Sequence, residues 1–214
     1  MDEDVSIINT NTRNEKIKNF FINNKNKIFF GILIVLIGII GVYGIDKYQA
    51  NKKQQISDDF NLATIEYSEN NKENTTTKLI EIINEKNPTY SPLSLYFIID
   101  NELISNQKQI NKLFDILIDQ TSLDDEINNL VIYKKALFNA DQSSEGDLLN
   151  LVNPLINSKS VWKSHALYLM AEYFYAKEQN QKAKEFFNQI IGLENPNPDI
   201  RLQADKRLNR DLSE

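Results

Sequence analysis

From Ile28 to Ile45 the chain reads IFFGILIVLIGIIGVYGI, without a single charge. A helix of that length rises about 27 Å, close to the roughly 30 Å of a bilayer's hydrocarbon core. The run therefore predicts a transmembrane helix. A buried core helix is usually shorter and amphipathic. The apolar region of a cleaved signal peptide is normally short, about two to four helical turns, and precedes a small-x-small site. Here a long polar leader comes first, and Asp46-Lys47-Tyr48-Gln49-Ala50 follows, which is a poor cleavage site. An uncleaved anchor is expected, dividing the chain into a tail (1–27), a span (28–45) and a larger part (46–214).

Beyond the span, apolar residues return every three or four positions, the period of an amphipathic helix. Phe60, Ala63 and Tyr67 mark the helix that leaves the span. Leu79, Ile82 and Ile83 mark a second, and Leu95, Ile98 and Ile99 a third, with Ser91 as its expected cap and Pro92 at its first position. Ile110, Leu113, Phe114 and Leu117 form a clean stripe. Leu123, Ile127, Leu130, Val131, Leu137 and Phe138 form the longest, with Ser122 and Asp125 as an expected capping pair. Leu148, Leu151, Val152 and Leu155 follow, with a kink expected at Pro154. Trp162, Ala166, Leu169, Met170 and Tyr173 mark the next helix. Then come Ala183, Phe187, Ile190 and Ile191, ended by Gly192. Asn197-Pro198 opens a last helix carrying Ile200, Ala204 and Leu208. No strand alternation stands out. Short connections make successive helices antiparallel neighbours. The expected fold is all-α: one N-terminal transmembrane helix, then an α-solenoid of degenerate tetratricopeptide-like hairpins.

The repeat reading rests on a period of about 34 residues with small and aromatic residues at set offsets. Ser164–Asn197 fits it well. Leu167 takes the first large position, Ala171 the small position and Phe174 the aromatic one. Ala183 takes the small position of the second helix, and Phe187 its aromatic one. Small residues belong where two helices approach too closely for a longer side chain. Upstream, Ala136, Leu148 and Val152 give a looser unit, and Ser91–Thr121 a weak third. The turn Lys177-Glu178-Gln179-Asn180 lacks the usual Gly, so Asn180 is the candidate for a left-handed residue.

Composition narrows the chemistry. The 214 residues carry 24 basic and 30 acidic groups, net −6, which gives nucleic acid no bulk attraction. There is no cysteine, and His165 is the one histidine, so a thiolate or His-rich metal site cannot be built. Asp58-Asp59 and Asp124-Asp125-Glu126 sit where helix starts or exposed faces favour acidic groups. No phosphate loop or nucleophile elbow occurs. The expectation is a non-enzyme without cofactor, metal or small-molecule substrate. Lys and Arg near the span number five before it (Arg13, Lys16, Lys18, Lys25, Lys27) and three after (Lys47, Lys52, Lys53), favouring a cytoplasmic N-terminus. Gly38, Gly41 and Gly44 recur every third residue, without the i, i+4 spacing of a dimer stripe. Tyr168 and Tyr175 are two turns apart on one helix face, a candidate partner groove.

The layout resembles the bacterial YfgM-type ancillary Sec-translocon subunit family, whose repeats are also related to a cell-division coordinator. Three stretches carry the resemblance. Ile17-Lys18-Asn19-Phe20-Phe21 is similar to that family's entry into the membrane. VWKSHALYLMAEYFYAKEQNQKAKEFFNQIIGL, Val161 to Leu193, is similar to its last full repeat. NPDIRLQADKRL, Asn197 to Leu208, is similar to its closing helix. Asn70–Asn106 matches least. The resemblance implies an inner-membrane protein whose periplasmic repeats contact the translocon, periplasmic chaperones and exported clients. An envelope scaffold of the same fold, in cell division or outer-membrane assembly, is the alternative.

Overall fold

The computed structural model describes the backbone of residues 2–213 and the side chains of residues 13–213. Met1 and the side chains of the residues before Arg13, part of the expected tail 1–27, lie outside the described residues. Among those described, the chain is mostly helical and contains no strand. Helix α1 (Asp2–Ile65) comes first. A 3₁₀ turn (Glu69–Asn71) leads into α2 (Lys72–Asn84), followed by α3 (Tyr90–Asp100), α4 (Gln107–Gln120) and α5 (Asp125–Asn139). Then come α6 (Glu145–Ile156), α7 (Lys163–Ala176), α8 (Asn180–Ile191) and α9 (Pro198–Lys206), closed by a π-helical turn, Arg207–Asp211. The chain divides into two compact units, residues 1–55 and 56–214.

In the first unit α1 has one window of mean hydropathy 2.8, and no part of that window is buried in the protein. Ile34 and Ile40 are each 69% exposed. By length and composition this helix can cross a membrane.

The second unit begins where side chains start to bury. Ile56 and Ala63 join a cluster with Leu79, Ile83, Leu95, Ile98, Phe114 and Leu117. A second cluster holds Ala136, Leu148, Val152, Met170, Phe174, Phe187 and Ile190. α5 serves both: Val131 belongs to the first cluster and its neighbour Ile132 to the second. The long α5 stripe is therefore only partly the buried face. Val131 of the stripe is buried, but Ile127 and Leu137 are exposed and Ile132 and Ala136, outside the stripe, are buried.

Polar side chains fix helix directions. Asn111 pairs with Asn139 and Asp115 with Lys135. Residue numbers rise by four on α4 as they fall by four on α5, so the two helices are antiparallel. Gln107 adds a bond to Asn139 across the same pair of helices. Among the described residues, six further side-chain bridges join residues 33 to 37 apart on helices two apart in the order, or on the turns flanking them: Ser57–Tyr90, Glu126–Ser160, Glu126–Trp162, Glu145–Lys182, Ser164–Asn197 and Glu172–Arg207.

Several local expectations need correction. The α3 cap position is Thr89, and the Asn87 side chain accepts from the backbone N–H of Thr89 and Tyr90. Ser91, already inside the helix and buried, donates to the Ile82 carbonyl at 2.7 Å. It ties α3 to α2 rather than capping. Asp124, not Ser122, holds the cap position of α5, without a side-chain bond. The helix α6 runs through Pro154 and ends at Ile156, just beyond it. Gly192 does cap α8, but in right-handed conformation. Asn197 caps α9 as expected, accepting from Asp199 and Ile200 with Pro198 at the start.

The turn after α7 is left-handed at Glu178 (φ 59°), not at Asn180, which is the first residue of α8. The reason is hydrogen bonding. Gln179 N–H donates to the Phe174 carbonyl and Glu178 N–H to that of Tyr175, the double closure that needs a left-handed residue just past the helix end. Glu102 (φ 49°) closes α3 in the same way.

Candidate functional site

The residues expected to carry the repeat signature, Leu167, Ala171, Phe174, Ala183 and Phe187, are all buried. Ala171 and Ala183 let α7 and α8 approach closely. Phe174 stacks on Phe186 with centroids 5.4 Å apart, and Phe187 meets the Tyr168 ring edge-on at 5.6 Å. These side chains form the core that holds one face of α7 in place. They are not themselves accessible.

That face carries Tyr168, Glu172 and Tyr175, at spacings of four and three along the helix, so one stripe presents all three. Both tyrosines are half-buried. The C-terminal turn reaches back to them. Arg207 forks onto Glu172 through two bonds of 2.8 and 2.7 Å. Its guanidinium lies 4.8 Å over the Tyr175 ring, and it also bonds Asp211 at 2.8 Å. Leu212, beyond the π-helical turn, is buried in the core and anchors the segment. The Tyr168 hydroxyl pKa is pushed up, first by burial and then by the Glu172 carboxylate. Arg210 and Arg207 hold the Asp211 carboxyl well below the usual carboxylate range. The candidate groove thus has a carboxylate between its tyrosines and an arginine of the same chain against them. The sequence reading named neither Glu172, which its spacing could have placed on the tyrosine stripe, nor Arg207, because nothing local marks a contact 35 residues away.

A second aromatic group lies between α5 and the start of α7. Tyr133 stacks on Trp162 with centroids 5.7 Å apart, and His165 sits 5.0 Å from Trp162 and 5.6 Å from Tyr133. Trp162 Nε1 donates to the Glu126 carbonyl, which pins the indole to α5. The His165 Nδ1 is buried without a hydrogen-bond partner. Burial lowers the pKa of the ring, against a smaller opposing pull from the Val161 backbone.

The acidic runs stay where local sequence put them. Asp124, Asp125 and Glu126 are exposed at the start of α5, and Glu126 accepts from Ser160 Oγ at 2.7 Å. Among the described residues no group of three His, Cys, Asp or Glu is placed to hold a metal ion. Two of the open clefts formed by the described residues lie along these helices. One, of about 790 Å³, lies between α2 and the α3–α4 connection and is lined by Thr76, Ile80, Ile104 and Gln109. The other, of about 440 Å³, lies between α5 and α7 and is lined by Leu137, Asp141, Leu169 and Glu172. Compared with protein families, curated proteins and solved structures, the chain matches none.

Proposed function

We propose that this chain is a membrane-anchored protein–protein interaction module that catalyses no reaction and takes no cofactor. The observation that carries the reading is the pairing of an unburied apolar helix with a separate all-helical unit, 56–214. Fixing a binding unit at a membrane raises its effective concentration toward partners in the same plane. Support for an α-solenoid of tetratricopeptide-like hairpins comes from the six side-chain bridges 33–37 residues apart that join helices two apart in the order, or the turns flanking them. Such a spread brackets the tetratricopeptide period of about 34 residues, and stacked repeats bring residues one period apart into contact.

In this reading residues 28–45 span the bacterial inner membrane. The five basic residues before the span stay in the cytoplasm, and residues 46–214 face the periplasm. The resemblance to the YfgM-type family makes the partners Sec-translocon subunits, periplasmic chaperones or exported proteins. The test is crosslinking in intact cells with a C-terminal tag, followed by purification in mild detergent. Enrichment of translocon subunits or periplasmic chaperones over another single-span protein is expected. Enrichment of division or cell-wall proteins instead would overturn the translocon assignment in favour of an envelope scaffold. Reporter fusions at the C-terminus that are active only in the cytoplasm would overturn the orientation.

A further inference from the structure

Glu172 faces two ways. On one side it takes the Arg207 fork. On the other it lines, with Asp141, the cleft of about 440 Å³ between α5 and α7. The apolar wall of that cleft includes Leu137, 52% exposed, and Leu169. The cation lining it, Lys177, is drawn over the Tyr173 ring at 5.5 Å. Two carboxylates beside an apolar wall suit a side chain that is positive at its tip and a neighbour that is aliphatic. Arg207 shows what the Glu172 face accepts: a carboxylate fork with an aromatic ring alongside is how a guanidinium is held.

We propose that the α5–α7 cleft binds an extended segment of a partner protein bearing an arginine next to an aliphatic residue. Arg207 of the chain's own C-terminal turn competes with that arginine for Glu172. The aliphatic side chain packs on Leu137 and Leu169, and the incoming guanidinium bridges Asp141 and Glu172. Arg207 is not stranded by the exchange. It keeps Asp211 at 2.8 Å and the Tyr175 ring at 4.8 Å, so release of Glu172 leaves no unpaired buried charge. The inference rests on the interaction reading above and adds the class of ligand and an intramolecular competitor for Glu172.

The test uses the full chain in detergent micelles and a short fluorescent peptide containing Leu-Arg, followed by anisotropy. Arg207→Gln frees Glu172 and is expected to tighten binding about tenfold, equivalent to roughly 1.4 kcal/mol. Glu172→Gln, Leu137→Lys and a Leu-Gln peptide are each expected to weaken it about tenfold. Leu137→Lys alters an exposed side chain, so it keeps the test decisive should loss of the Arg207 pair loosen the C-terminal turn. Unchanged affinity in Arg207→Gln, or full binding by Leu137→Lys, overturns the proposal. Cellular crosslinking separates the two levels. Partners recovered equally by wild type and Leu137→Lys sink this cleft and leave the interaction reading standing. No partner recovered by either sinks both.

Discussion

Asn111 on α4 and Asn139 on α5 exchange two side-chain amide hydrogen bonds, each 2.8 Å. The remaining amide hydrogens are also used: Asn111 donates to the Gln107 carbonyl and Asn139 to that of Lys135. Gln107 Nε2 adds a bond to Asn139 Oδ1 at 3.3 Å. The pair sets register as well as attraction, because a slip of one residue would strand both amides. Asn111→Ala should cost about 1–2 kcal/mol, mostly the desolvation of the amide left behind. Replacing both residues with Leu should be close to neutral. Urea denaturation of the four members of the double-mutant cycle measures the coupling, and additive losses would deny it.

Glu178 holds a left-handed conformation that costs a residue with a Cβ about 1–2 kcal/mol. Glu178→Gly should therefore raise stability, by about 1 kcal/mol after glycine's larger unfolded-state entropy is subtracted. Asn180→Gly, at the first helical position of α8, should give no gain. Thermal melts by circular dichroism compare the two, and equal shifts would contradict the turn geometry.

Phe187 is fully buried and meets Tyr168 edge-on. Truncation to Ala should cost about 3–5 kcal/mol. Ala171→Leu should destabilise by about 1–3 kcal/mol through overpacking where α7 meets α8. Both losses should appear as lower urea midpoints. A neutral Ala171→Leu would mean the helices have room to spare.

His165 makes a pH prediction. Burial lowers its folded-state pKa, while the unfolded imidazole titrates near pH 6.5. The unfolded chain then binds the proton more readily. The contribution is complete above about pH 6.5 and is lost as pH falls through the lower folded value. Carboxylates titrate over part of the same range, so the useful quantity is a difference. Wild type should lose more stability than His165→Gln between pH 8 and pH 5. Parallel curves would remove His165 from the account.

The first unit offers a cleaner experiment. Arginine at the middle of a membrane helix costs about 2.5–3.5 kcal/mol on insertion scales. Ile37→Arg with Ile40→Arg should move the protein from the carbonate-resistant membrane pellet toward the soluble fraction, while Ile37→Leu should not. Full retention of the double variant in the pellet would show that another segment holds it there.

The apolar run, the helical periodicity and the small residues on α7 and α8 can be read directly from the order of residues. Each of these is local: a side chain's neighbours on its own helix lie three or four positions away, so hydrophobic spacing reports them directly. The two-turn spacing of Tyr168 and Tyr175 belongs to this class. Which polar residues find each other depends on how the helices pack. Ser91 read as a cap and became a tie to Ile82, because α2 presents a free carbonyl beside it. Glu178 took the strained conformation over Asn180, because the carbonyls of Phe174 and Tyr175 set where the helix closes. Arg207 and Glu172, 35 residues apart, meet through the packing of α9 on α7 and α8, a distance no local pattern spans. Spacing along one helix is set by backbone geometry, whereas pairing between helices is set by how their faces fit.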